Sequence, residues 1–331
     1  MFKKITISII LTLILFTAAD LCFFYYEVFK EQDIYKSQAA YNSKENIQKF
    51  YIPKHFFKLV PPYDEYHYNI KNSGFMRPIQ NQKSKEQPVI IFGCSYAAGY
   101  VFDNKETISY IMSKYSDRPI INRAVSGYGV QHMLYQLEND KDFVNSIKPP
   151  KYIFYILMDN VGHFERLYLT NFPTITNPVY YLSYKEKSDK LVERKPLFNL
   201  YYGSAIFRHI YNKIVSNWVE TNFNNNNPKI FDFFILHFET INSLIKQYWG
   251  SNIEYQPPQL IILTFEKTKK EMWAPQLEKE GIKVIDIAEL IGIKDLSRKE
   301  LGFFEPEISA HPNGKLWQQV VPKLKEMYPD L

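Results

Sequence analysis

Apolar positions gather into short runs rich in β-branched side chains: Val89–Phe92, Ile120–Val125, Tyr152–Met158, Leu260–Phe265 and Val284–Ile287. Runs of this length and type predict strands buried on both faces. Between several of them the period changes to that of a helix. Ile108, Ile111, Met112 and Tyr115 share one face after the first run, and Asp103 followed by Glu106 reads as a capping-box-like start. Val130, Met133, Leu134 and Leu137 repeat the spacing after the second run. A closing helix after His311-Pro312 puts Leu316, Val320, Leu324 and Met327 on its buried side. This alternation predicts a three-layer α/β/α sandwich around a five-stranded, mainly parallel sheet.

Between the third and fourth strands lies a long insertion, 161–257. It predicts a hairpin around Tyr180–Lys195, helices near Ala205–Trp218 and Phe231–Trp249, and a tip at the Asn224–Asn227 run. Residues 30–86 are polar and aromatic with weak periodicity, which suits a stalk and entry segment, and 87–331 form the α/β domain.

The N-terminal segment, 1–29, begins with Lys3 and Lys4 and continues through an apolar run, Ile5–Tyr26, with Asp20 as its sole charge. That run has about the ~20 residues that cross a bilayer. Two readings fit: an uncleaved anchor, or a signal peptide cut after Thr17-Ala18-Ala19. Leu21–Tyr26 extend the apolar run past that cut and favour the anchor. Lysines before the run and net acidity from Glu27 to Asp33 put the globular part outside the cytoplasm, periplasmic or at the cell surface, or secreted if the segment is cleaved. Cys22 and Cys94 are too far separated by this topology to bridge, so no disulfide framework is expected.

Net charge of +5 comes from 40 basic and 35 acidic residues spread without a basic block, which argues against nucleic acid as a partner. The 26 Tyr and 25 Phe fit a carbohydrate-binding surface and equally a biased codon usage. Seven scattered histidines, no His-Glu-x-x-His and no phosphate-binding glycine pattern predict neither a metal nor a cofactor.

In an α/β sheet, ligands sit at the C-terminal strand ends. The first run ends in Gly93-Cys94-Ser95, which presents a serine there; the second in Asn122-Arg123-Ala124-Val125-Ser126-Gly127; the third in Asp159, Asn160 and His163. His311 comes late, just before the closing helix. A nucleophilic serine needs a base, oxyanion donors and a group that orients the base. His311 offers the base, and the N–H groups of Ser95 and Gly127, with Asn160 or Asp159, offer the oxyanion site. Cys94, Tyr96 and His163 are placed to line the pocket, while His132 reads as packing at a helix start.

The pattern resembles the SGNH, or GDSL-like, hydrolase superfamily and its membrane-anchored envelope branch. Asn72-Ser73-Gly74-Phe75-Met76-Arg77 is similar to that branch's lead-in, Gly93-Cys94-Ser95-Tyr96-Ala97-Ala98-Gly99 to its first block, Asn122 through Gly129 to its second, and His311-Pro312-Asn313-Gly314 to its last. The resemblance implies a flavodoxin-like sheet, Ser95 as nucleophile, Gly127 as oxyanion donor and His311 as base. The chain departs from the family in three places. Cys94 stands for the usual Asp, Asp159-Asn160 reverses the usual order, and the nearest carboxylate before His311 is Glu307, one step further than the family's acid.

The expectation is an anchored, extracytoplasmic esterase or O-acyltransferase acting on acyl esters of an envelope glycan, with Ser95, His311 and Glu307 as the catalytic set. The alternative from another class is an inactive relative that binds glycan or serves envelope assembly. Its partners would be an acylated carbohydrate or other small ester, and the membrane through the N-terminal helix.

Overall fold

The computed structural model describes residues 8–22, 79–99, 102–124, 128–158, 182–184, 191–193, 205–251, 254–265, 269–297, 299–305 and 311–331. In chain order the described strands are β1 (Val89–Gly93), β2 (Ile120–Asn122), β3 (Tyr152–Leu157), β4 (Leu182–Tyr184), β5 (Leu191–Glu193), β6 (Gln259–Thr264), β7 (Lys283–Asp286), β8 (Phe304–Glu305) and β9 (His311–Pro312). The helices are α1 (8–22), α2 (Ser95–Ala98), α3 (Ile108–Met112), α4 (Val130–Asn139), α5 (Lys141–Ser146), α6 (Ala205–Asn224), α7 (Lys229–Trp249), α8 (Lys270–Lys279), α9 (Ile287–Leu290) and α10 (Gly314–Met327).

Five strands form one sheet in the order β2-β1-β3-β6-β7, and every adjacent pair is parallel. Because side chains alternate across a strand, the apolar runs feed two cores at once. Ile90, Phe92, Ile153, Tyr155, Leu157 and Leu260 meet α4, α7 and α8 on one face. Val89, Ile91, Phe154, Ile156, Ile261 and Leu263 meet α3 and α10 on the other. The result is the expected three-layer α/β/α sandwich. The chain leaves β1 for β2 on one side and returns for β3 on the other, so the strand order reverses between β1 and β3. A crevice opens at such a switch point, at the carboxyl ends of the strands.

The expected hairpin and both expected helices of segment 161–257 are present, as β4-β5, α6 and α7. α7 belongs to the sandwich itself: Phe231, Phe234, Phe238, Ile241 and Ile245 enter the core, and the helix packs on α4 and α8. It is the crossover helix that a parallel β3-to-β6 connection requires.

Several boundaries differ from expectation. β2 stops at Asn122 rather than Val125, because the Asn122 side chain accepts from the Ala124 N–H at 3.0 Å and turns the chain. Asp103 caps only a 3₁₀ turn at Asn104–Glu106, whereas α3 is capped by Thr107, whose Oγ1 accepts from the Tyr110 N–H. α3 ends at Met112, which takes Tyr115 off the buried face and leaves it 40% exposed. Met327, the last residue of α10, is likewise exposed. Among the described residues no helix is long and apolar enough to cross a membrane; α1 is the described part of the longer apolar run.

Candidate active site

β1 delivers Ser95 to the switch point. Its last residue, Gly93, has φ +143°, and a Cβ there would lie 2.7 Å from the Ile156 carbonyl oxygen of β3. Only glycine lets the two strands stay paired where the chain turns. Cys94 is extended (φ −96°, ψ −155°) and its carbonyl accepts from the N–H groups of Ala97 and Ala98 at 3.1 and 2.9 Å. The chain therefore passes directly into α2 with Ser95 at its head, and Gly99, left-handed at φ +57°, closes the turn by donating to the Ser95 carbonyl. Ala97 and Ala98 are buried while Ser95 is half-buried, so the turn is rooted in the core and the serine keeps part of its surface accessible. The first N–H groups of a helical turn have no intrahelical acceptor. Cys94 makes no side-chain cap to them, a role that an Asp at this position would suit.

Asn122 fixes α2 from the side. Its Nδ2 donates to the Ala97 carbonyl at 2.8 Å and lies 3.4 Å from Ser109 Oγ, which is 3.2 Å from Thr107 Oγ1. All three side chains are buried, so this polar network links the ends of β1 and β2 to the start of α3. Next along the chain, Arg123 is buried against the Phe143 ring, pairs with Asp140 at 2.8 Å and donates through Nε to Gln136 at 3.0 Å. Burial pulls its pKa down, and Asp140 opposes that shift. These contacts hold the entry to residues 125–127. The exit is held by His132, whose Nδ1 accepts from the Gly129 N–H at 2.9 Å while its ring stacks on Tyr128 at 4.4 Å. His132 thus packs at a helix start, as the sequence suggested, and also caps it.

His311 reaches the same place from the far end of the chain. β9 pairs antiparallel with β8 and packs against α2. The His311 ring stands edge-on to Tyr96, with centroids 5.2 Å apart at 60°. Tyr96 also meets Phe265 at 5.1 Å and Phe304 at 6.3 Å, and Phe265 meets Trp317 at 5.8 Å, which makes an aromatic wall beside the serine. Burial, and after it the neighbouring Cys94, pushes the Tyr96 hydroxyl up to about 12, so it stays protonated. Asn313 secures the histidine strand: its Oδ1 accepts from the Lys315 N–H at 3.0 Å as the cap of α10, and its Nδ2 donates to the Gly302 carbonyl at 2.8 Å.

Of the residues picked from the sequence, Cys94, Ser95, Tyr96 and His311 lie at one end of the sheet, but Cys94, expected to line the pocket, is 1% exposed and belongs to the core instead. Gly127, Asp159, Asn160, His163 and Glu307 lie outside the described residues. The sequence did not single out Glu305, whose backbone is the direct partner of His311 across the β8-β9 pair. A two-residue bridge has no periodicity to read, so nothing in the sequence separates Glu305 from Glu307. Among the described residues no group of three or more His, Cys, Asp and Glu side chains gathers as a metal site.

No protein-family model matches the chain, and no curated protein matches it either. Among solved structures, one similar to it is a protein assigned to the lipolytic G-D-S-L family from Desulfitobacterium hafniense DCB-2, 11% identical with a TM-score of 0.39 over 73% of this chain and 99% of that one. A second solved structure matches at 11% identity and a TM-score of 0.39, over 73% of this chain and 98% of its own. Similarity at that level assigns no role to any residue here.

Proposed function

We propose that the protein is a membrane-anchored, extracytoplasmic serine esterase or O-acyltransferase acting on acyl esters of an envelope glycan. The observation that supports this reading is the packing of α2, with Ser95 at its head beside the switch point, against the strand that bears His311, whose ring stands edge-on to Tyr96.

In the proposed reaction the Ser95 hydroxyl attacks the ester carbonyl carbon and its proton passes to the His311 imidazole. The N–H groups of Ser95 and Gly127, with the Asn160 carboxamide as a third donor, take the oxyanion, a role that an ionised Asp159, which would repel it, cannot fill. Collapse expels the alcohol, which leaves with the proton from His311, and the acyl group stays on Ser95. Water or a sugar hydroxyl then attacks the acyl-serine, and His311 relays the second proton. Orientation of His311 falls to Glu305 or Glu307, and His163 joins Tyr96 around the bound ester, with the buried Cys94 behind the serine turn. Anchoring is supported by the apolar run Ile5–Tyr26 behind Lys3 and Lys4.

The test is release of acetate from an O-acetylated glycan by the full chain, beside Ser95→Ala. Ester loss that vanishes in the variant supports the reading. Binding without turnover in both proteins favours the inactive glycan-binding alternative.

A further inference from the structure

The apolar face of α6 is wider than the part the domain covers. Val219 and Phe223 of this helix are buried in the core, with Val215 partly buried one turn earlier. Beside that buried ridge runs a second one, Ile210, Ile214 and Trp218, at 51%, 63% and 44% exposure. Residues four apart stack along one line of a helix, so these three form a continuous apolar strip open to the outside. Exposed His209, Lys213 and Asn217 flank it.

What covers this strip is indicated by the helix that α6 touches at its start. Ile9, Ile10, Leu11, Leu13, Ile14, Leu15 and Phe16 of α1 are each at least half exposed. Such positions take in every side of a helix, and a helix apolar and open all round fits a lipid surrounding. Asp20, the one charge of the apolar run, is 3% exposed, and its Oδ1 accepts from the Ile206 N–H at 2.8 Å across 186 positions of sequence. It caps one of the first-turn donors of α6 and joins that helix to the C-terminal end of α1. With Lys3 and Lys4 on the inner side, that end of α1 comes to the outer membrane–water boundary.

We infer that the Ile210–Ile214–Trp218 ridge is a lipid-contact surface, lying in the headgroup–acyl boundary of the bilayer that holds α1; this rests on the anchoring proposed above. Tryptophan suits that depth, with an apolar body and a polar N–H, and the Lys213 and His209 neighbours face the headgroups. α6 then holds the domain at a fixed height over the membrane.

Trp218 reports on this directly, because the other three of the four tryptophans, Trp249, Trp273 and Trp317, are buried. The full chain would be reconstituted into phosphatidylethanolamine–phosphatidylglycerol vesicles with brominated or plain acyl chains, and flotation measured alongside fluorescence. The signal of Trp218 is the difference between the wild-type protein and Trp218→Phe. Contact predicts that bromine on the upper part of the acyl chain lowers that signal about twofold or more, and that bromine near the chain end lowers it less. Ile210→Ser with Ile214→Ser should reduce the quenching while the protein still floats. Flotation with no quenching of Trp218 overturns the lipid-contact surface but leaves the anchor standing, and shielding of Trp218 from iodide in that case reassigns the ridge to a protein partner. Failure to float overturns the anchor and this inference with it.

Discussion

Replacing Asn122 by alanine removes a carboxamide used at both ends. In the wild-type protein Nδ2 donates to the Ala97 carbonyl at 2.8 Å, and Oδ1 accepts from the Ala124 N–H at 3.0 Å. Asn122, Ala97 and Ala124 are all buried, so water cannot readily replace either bond. A buried donor or acceptor left without a partner costs about 1–3 kcal/mol, so the two together predict a loss of about 2–6 kcal/mol. Taking about 3 kcal/mol, the melting midpoint of a domain this size should fall by about 6–12 °C. α2 also loses its lateral tether, so covalent labelling of Ser95 should slow even at temperatures where the variant is fully folded. The assay is urea unfolding followed by far-ultraviolet circular dichroism, with labelling rates taken on the same samples. A stability loss under about 1 kcal/mol, or unchanged labelling in a folded variant, would refute the idea that this side chain holds the serine turn.

Gly93→Ala should destabilise by about 3 kcal/mol or more, from positive φ and the 2.7 Å approach to the Ile156 oxygen, whereas Gly281→Ala, with φ +80° and nothing within 4 Å, should lose only about 1 kcal/mol; equal losses in urea unfolding would contradict the close-approach argument. His237 on α7 is fully buried, and burial lowers its pKa to about 4 while its bond to the Phe233 carbonyl opposes the shift. The unfolded chain takes up that proton near pH ~6.5, so stability should be full above that pH, fall by roughly 3 kcal/mol on acidification to about 4, and then level off. Urea midpoints across that range should flatten in His237→Leu, and an unchanged slope would exclude this histidine as the cause. Glu305→Gln and Glu307→Gln separate the two candidate orienting acids. Direct opposition to His311 across the β8-β9 pair predicts the larger loss of ester turnover, about 10²–10⁴-fold, for Glu305, and a larger loss for Glu307 would reverse that assignment.

The five sheet strands were legible because each is a β-branched run, and the two-sided burial of Ile90 and Ile91 follows from a run without polar alternation. The register and the end of β2 were not, since they depend on where the Asn122 side chain bonds. The helical period of Phe231–Trp249 announced a buried face without saying what it buries against; that it is the crossover helix emerges only from its packing on α4 and α8. At the site, a serine at a strand end and a histidine before a helix were readable as chemistry. The contact of the His311 ring with Tyr96, next to that serine in the chain, was not, because it depends on how β9 folds back over α2. Asp20 is the sharpest contrast. In the sequence it is a charge that mars an apolar run, and in the structure it caps a helix from the other half of the chain.

The proposed function stands on Ser95 being an activated nucleophile served by His311. Exposure of the full chain to a fluorophosphonate, beside Ser95→Ala and His311→Ala, tests it most directly. Stoichiometric labelling of the wild-type protein is expected, abolished in the first variant and strongly slowed in the second. No labelling of folded wild-type protein, or labelling that persists in Ser95→Ala, would contradict it.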